Sequence, residues 1–142
     1  MPINSKLHKK SRLYELLQKI IKRKDDENFD LKENIDKLLE IIDKSTEEDV
    51  NYYDNQMSCL HLAVQIDNPE VVAALIAKGA NVNVINERGV SPLHMAIIKN
   101  QPEEVIKVLL DNGADYNREE ANFSAVMLAE IMNAPYMHLF NK

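Results

Sequence analysis

The same residues return along this chain at a fixed interval of 33. Ser91-Pro-Leu-His-Met-Ala96 is preceded by Ser58-Cys-Leu-His-Leu-Ala63 and followed by a weaker copy, Ser124-Ala-Val-Met-Leu-Ala129. Pro69, Pro102 and Pro135 keep the same spacing. A fixed period of about 20–50 residues marks a stacked-repeat architecture, in which no unit can bury its apolar face alone. A chain so patterned folds by stacking, and neighbouring units complete each other's core.

Each central unit reads as two helices. Ser58 and Ser91 stand where an N-cap accepts from first-turn amides, and Pro92 follows at a position where a missing N–H costs nothing. Pro69 or Pro102 opens a second helix, with Val71, Val72, Leu75 and Ile76, or Val105, Ile106, Leu109 and Leu110, as its apolar face. Gly79 and Gly113 are placed to end those helices, since glycine tolerates positive φ. Gly89 is placed for the tight turn of a hairpin. Leu75 and Leu109 are 34 apart, so the second unit holds one extra residue, expected at Glu103-Glu104. After Pro135 only seven residues remain, which shortens the last second helix to two turns at most.

The first part of the chain departs from the pattern. From Lys6 to Lys24 the residues Leu7, Leu13, Leu16, Leu17, Ile20 and Ile21 recur at helical spacing, with Tyr14 beside them and Lys and Arg around them. Residues 1–24 hold eight Lys/Arg against one acid, +7, whereas residues 25–142 hold nine against 22, −13; together they give the net −6. This basic helix is either a solvated cap over the open end of the stack or a docking surface for anions. Asp30 and Glu33 are spaced as a capping box for a helix over Leu31–Lys44, with Ile35, Leu38, Leu39 and Ile42 inward. The following Glu48-Asp-Val-Asn51 parallels Gly79-Ala-Asn-Val-Asn83 and Gly113-Ala-Asp-Tyr-Asn117.

These units resemble ankyrin repeats. The shared pattern is a hairpin, a T-P-L-H-x-A helix start, a second helix and a G-A-D-x-N exit. It is carried at 58–63, 91–96, 79–83 and 113–117. The resemblance implies an all-α solenoid of stacked helix-turn-helix units joined by β-hairpin-like loops. We expect one domain over 1–142: a divergent N-terminal capping unit over 1–51, repeats at 52–84 and 85–117, and a truncated C-terminal cap over 118–142. It also implies that His61 and His94 form hydrogen bonds that knit neighbouring loops, and that Asn83 and Asn117 occupy the position modified by asparaginyl hydroxylases in many such proteins.

Catalysis finds no support in these residues. A metal site needs several ligands converging, and Cys59 has no partner at ligand spacing. Cys59, the single cysteine, excludes an internal disulfide and fits a buried, inert thiol in a reducing compartment. All three glycines belong to the repeat, which leaves none for a phosphate loop. No cofactor and no metal are expected. No apolar run approaches the ~18 residues of a membrane span, and we expect a cytosolic monomer that binds no nucleic acid.

Binding to another protein is the expected function. In ankyrin-repeat proteins partners meet the hairpin tips and the first helices, which line the concave face. Carried over to this chain, the tips are Tyr53, Asp54 and Asn55; Glu87 and Arg88 after Asn86; and Glu119 and Glu120. Met57, Val90 and Phe123 follow, again 33 apart, and Gln65 and Ile66, Ile98 and Lys99, and Ile131 and Met132 lie towards the first-helix ends. Met57, Val90, Phe123, Ile98 and Met132 either form an exposed apolar strip edged by acids or pack hairpin against helix. The protein would act as adaptor, competitor or inhibitor. Its Ile-, Asn- and Lys-rich composition points to an A+T-rich genome, and by resemblance to a host-directed effector.

Overall fold

The computed structural model describes residues 12–54, 57–117 and 124–140. Residues 6–11 of the expected basic helix, and Asn55, Glu119, Glu120 and Phe123, lie outside the described residues. The helices are α1 (Arg12–Arg23), α2 (Leu31–Asp43), α3 (Glu47–Val50), α4 (Cys59–Ala63), α5 (Pro69–Ala77), α6 (Pro92–Ile98), α7 (Glu103–Asp111) and α8 (Ala125–Ile131). A single 3-10 turn, Met137–Phe140, follows.

The helices stand in two rows. In one, α1 packs on α4, α4 on α6 and α6 on α8; in the other, α2 packs on α5 and α5 on α7. Ala63, Ala96 and Ala129 are each fully buried within the first row. A methyl group at the contact lets helices approach at the short end of the usual ~8–10 Å axial separation. Between the rows lies one continuous core that includes Leu38, Leu60, Leu75, Leu93, Ile97, Ile106 and Leu109. The inner face of α1 belongs to the same core: Leu13, Tyr14, Leu17 and Ile20 have almost no exposure. The Tyr14 hydroxyl donates to the Met57 carbonyl at 3.2 Å, and its ring meets Tyr52 edge-on at 4.9 Å. The basic helix is thus an integral wall of the stack.

Helix starts follow the expected chemistry. Ser58, Ser91 and Ser124 each accept from the backbone N–H three residues on, at 3.1–3.2 Å. At α2 only half of the expected capping box is recorded: Asp30 accepts from the Glu33 N–H at 2.9 Å, while the Glu33 carboxylate lies 3.8 Å from Lys37 Nζ. A reciprocal box instead opens α3, between Thr46 and Asp49. At the exit of α5, Gly79 takes φ +102°, and a Cβ there would meet Glu47 Cγ at 2.9 Å.

Within each unit the two helices are joined through one residue in the left-handed region: Asp67 (φ +73°), Asn100 (φ +54°) and Asn133 (φ +54°). These are 33 apart, yet the N-caps that follow, Asn68 and Pro102, are 34 apart. The extra residue of the second unit is therefore Gln101, largely buried, and not one of the Glu103-Glu104 pair. The shift moves Pro102 from the first helical position to the N-cap, where it offers no side-chain hydrogen bond.

The hairpins differ among themselves. The first has a short antiparallel ladder of β1 (Tyr53–Asp54) and β2 (Met57–Ser58), with Tyr53 opposite Ser58. The second is closed by a side chain: Asn86 Oδ1 accepts from the Arg88 and Val90 N–H groups at 2.9 and 3.0 Å. Its turn ends at Gly89, whose N–H donates to the Asn86 carbonyl. Among the described residues no helix is long and apolar enough to cross a membrane.

A left-handed conformation costs an L-residue with a Cβ roughly 1–2 kcal/mol, and less for Asp and Asn. Replacing Asp67 by Gly should therefore raise stability by up to about 0.5 kcal/mol after glycine's larger unfolded-state entropy is subtracted. A higher urea midpoint at unchanged slope is the expected result. A lower midpoint would show that the Asp67 side chain stabilises the turn.

Candidate partner-binding face

The units are joined by side chains that reach across to the next loop. His61 is fully buried, and its Nδ1 accepts from the Ser58 N–H at 3.2 Å. That fixes the proton on Nε2, which donates to the Val90 carbonyl of the next hairpin at 2.7 Å. This is the loop-knitting role expected of His61; within their own units, His61 Nδ1 lies 2.9 Å from the Ser58 hydroxyl and His94 Nδ1 2.8 Å from the Ser91 hydroxyl. Burial lowers the His61 pKa, and the Val90 bond only partly opposes that shift.

Asparagines make the second set of links. Asn51 Nδ2 donates to the Gly79 carbonyl at 2.9 Å, and its Oδ1 accepts from the Asn81 N–H at 2.9 Å. Asn83 repeats this fork one unit on, with the Gly113 carbonyl at 3.1 Å and the Asp115 N–H at 2.8 Å. The amide of Asn83 is therefore held at both ends, whereas Asn117 sits exposed. Cys59 is buried and its thiol donates to the Asp49 carbonyl at 3.8 Å. Its pKa is pushed up to about 12, first by burial and then by Asp49. Among the described residues no three His, Cys, Asp or Glu side chains converge as metal ligands would.

With the scaffold residues accounted for, the face offered to a partner can be read from exposure. Tyr53, Glu87, Arg88, Ile98, Lys99 and Met132 are exposed, while Asp54 is half-buried. Asn86, expected at a tip, is 9% exposed because its side chain closes the loop. Met57 and Val90 do not form an open strip. Both are half-buried and pack against the core, and their carbonyls accept from Tyr14 and His61. The exposed apolar surface lies further along: Ile98 (48%), Met127 (38%), Ile131 (63%) and Met132 (42%). Ile131 was expected beside Met132 at a first-helix end, whereas Met127 was not among the expected contact residues. The available signal was Met127 standing where the preceding units have histidine.

The outer face of α1 exposes Arg12, Lys19, Lys22 and Arg23 around Glu15. Glu15, Gln18, Lys19, Lys22 and Arg23 line a shallow, open depression there. Arg23 pairs with Asp26 at 3.1 Å and stacks over Phe29 at 5.0 Å. The Asp26 carboxyl is held below the usual carboxylate range by the Asn28 N–H and then by Arg23.

A family model described as ankyrin repeats, in three copies, matches residues 14–120. The chain belongs to the ankyrin-repeat family. It is 46% identical over 68 residues to the fowlpox virus (strain NVSL) ankyrin repeat protein FPV031, covering 46% of this chain and 20% of that protein. It is 40% identical over 66 residues to FPV219 of the same virus, covering 46% of this chain and 15% of the relative. A third similarity is to the palmitoyltransferase AKR1 of Candida glabrata, 36% over 88 residues, covering 60% of this chain and 11% of that protein. The chain thus spans a fifth or less of these relatives. Ankyrin repeats are protein–protein interaction modules, and the family is typically non-catalytic; membership thus implies a protein partner.

Two outcomes test the links. Truncating Asn83 to Ala removes two neutral hydrogen bonds between units and should cost about 1–2 kcal/mol in urea unfolding. No loss would mean water replaces both. For His61 the folded pKa lies below the ordinary imidazole value of about 6.5, so the unfolded chain binds more protons between the two. The stabilisation is complete above ~6.5 and is lost as pH falls from there towards the folded pKa. Ring-proton NMR should show His61 titrating below the ordinary value; a midpoint at or above it contradicts the buried neutral tautomer.

Proposed function

We propose that this ankyrin stack is a non-catalytic interaction module that holds a partner protein against its first-helix ends and hairpin tips, and so acts as adaptor, competitor or inhibitor. The observation that carries this reading is the apolar exposure of Ile98, Ile131 and Met132 on a face whose neighbouring polar side chains are engaged in the scaffold. A rigid preformed surface loses little conformational entropy on binding, which leaves more of the contact energy as affinity. The exposed Tyr53, Glu87, Arg88 and Lys99 supply a polar rim of the kind that sets register and specificity. Action as a monomer in the cytosol, and inside a host cell, is part of the same reading. The buried reduced thiol of Cys59 and the similarity to two viral ankyrin repeat proteins support it. The palmitoyltransferase similarity spans 11% of that enzyme and carries no activity to this chain.

Affinity capture should compare the wild type with Ile98→Ser and with a Glu87→Ala/Arg88→Ala double variant. Partners should be lost at least tenfold with Ile98→Ser and be weakened by the double variant. Partners retained equally by all three would refute both the helix-end and the hairpin-tip assignments.

The second reading, docking of α1 on an anionic surface, rests on its exposed Arg12, Lys19, Lys22 and Arg23. Since its apolar face is already buried in the core, α1 has none left to insert, and docking would be purely electrostatic. Deleting the helix would remove core residues, so charge reversal is the sound test. Lys19→Glu/Lys22→Glu should abolish salt-sensitive binding to vesicles containing phosphatidylserine. If the wild type fails to bind such vesicles, that reading ends.

A further inference from the structure

Asn112-Gly113 is the one place in the chain where an asparagine precedes a glycine. That pair carries a reaction of its own. The glycine nitrogen, once it gives up its proton, can attack Cγ of the asparagine amide. A five-membered succinimide closes, the Cγ–Nδ2 bond breaks, and the nitrogen leaves as ammonia. Water then opens the ring at either carbonyl, giving aspartate or the backbone-lengthened isoaspartate. Glycine makes the first step easiest, because it has no Cβ to shield its nitrogen or restrict its backbone. Both residues are exposed, and a Cβ built at Gly113 would meet nothing within 4 Å, so solvent reaches the pair freely.

The folded chain nevertheless holds the pair in an unreactive geometry. Asn112 is the C-cap of α7, at φ −104° and ψ +17°. Ring closure needs the Gly113 nitrogen on the same side as the Asn112 Cβ, at a ψ of roughly −120°, outside the main regions open to L-residues. The nucleophile is also engaged, since the Gly113 N–H donates to the Leu110 carbonyl at 3.1 Å. So is the leaving amide, whose Nδ2 donates to the Val108 carbonyl at 2.8 Å. Reaction therefore requires Asn112 and Gly113 to come away from the end of α7. Local openings of this kind cost less than global unfolding.

What restrains Gly113 from outside its own unit is Asn83. Its Nδ2 donates to the Gly113 carbonyl at 3.1 Å, and its Oδ1 accepts from the Asp115 N–H at 2.8 Å. Asn51 holds the exit at Lys78-Gly79 in the same way, but that exit has no amide to react. Of the two joints, the second alone combines a reactive pair with the link that restrains it.

We propose that Asn112 is a site of spontaneous deamidation gated by the Asn83 link: it is protected while the joint between units is closed and reacts when that joint opens. The products act on the same joint. Isoaspartate inserts a methylene into the backbone just before Gly113 and moves its carbonyl away from Asn83. Aspartate adds a negative charge at the C-terminal end of α7, where the helix dipole disfavours it and Asp111 and Asp115 stand close in sequence. Water does not restore the amide, so each opening that reacts leaves the joint weaker. The site thus records how long the stack has spent open.

The test ages the full chain in neutral buffer and follows Asn112 by peptide mapping in a mass spectrometer. Deamidation there should be at least tenfold slower in the folded protein than in urea. Asn83→Ala should quicken it at least fivefold in the folded state and leave the rate in urea unchanged. Asn83→Asp, which loses only the donor to Gly113, carries the same expectation if the alanine variant fails to fold. Asn51→Ala, which cuts the equivalent link one joint earlier, should leave the rate within twofold. The isoaspartate form, separated from its parent by charge, should unfold at a lower urea concentration. An Asn112 that stays intact in folded and unfolded chains alike would overturn the proposal, and so would equal rates in the two states. Equal acceleration by Asn83→Ala and Asn51→Ala would do the same, since it assigns the rate to global unfolding. An aged form as stable as its parent would overturn the weakening of the joint.

Discussion

In a stack of this kind each unit touches only its neighbours, so the interface between units must be specified anew at every step. Here the specification is a set of side chains that leave their own unit to complete the backbone of the next. The Val90 carbonyl accepts from the Asn86 N–H of its own hairpin at 3.1 Å and takes a second, shorter bond from His61 at 2.7 Å, and that second bond ties the hairpin to the preceding unit. Asn51 and Asn83 each bind one carbonyl and one N–H of the following turn, which locks both distance and rotation between units. Packing alone, through Ala63, Ala96 and Ala129, would set the separation but leave the units free to slide.

Those constraints explain what the sequence disclosed and what it withheld. The serines, histidines and alanines recur at 33 because each meets a local requirement that only one or two residue types satisfy, and for those positions repetition equals role. The left-handed turn residues were harder to see, because Asp67, Asn100 and Asn133 reach that region with two residue types that also serve as caps. The extra residue was misplaced for a related reason. Counting from leucine to leucine brackets an insertion, and only the backbone shows that it precedes Pro102. The partial burial of Met57 and Val90 depends on how each hairpin packs against the core, which no residue-by-residue comparison reveals. The exposure of Met127 and Ile131 is likewise a property of the folded stack.

The first and last described helices of the first row differ in what they turn to solvent. α1 buries Leu13, Tyr14, Leu17 and Ile20 in the core and turns a basic face outward. α8 buries Ala125 and Ala129 and leaves Met127 and Ile131 exposed, and the 3-10 turn after it buries Leu139 and Phe140.

The side-by-side packing of α6 and α8 also bears on how the molecule would respond to what it holds. Repeat arrays open locally, unit by unit, at less than the free energy of global unfolding. A partner that touched both Ile98 and Ile131 would bind only while α6 and α8 are docked, so occupancy and docking would be linked by mass action. At a hundredfold its Kd such a partner would add about 2.7 kcal/mol to the docked form. Binding across two units would then act as one more link between them, beside those that His61, Asn51 and Asn83 already make.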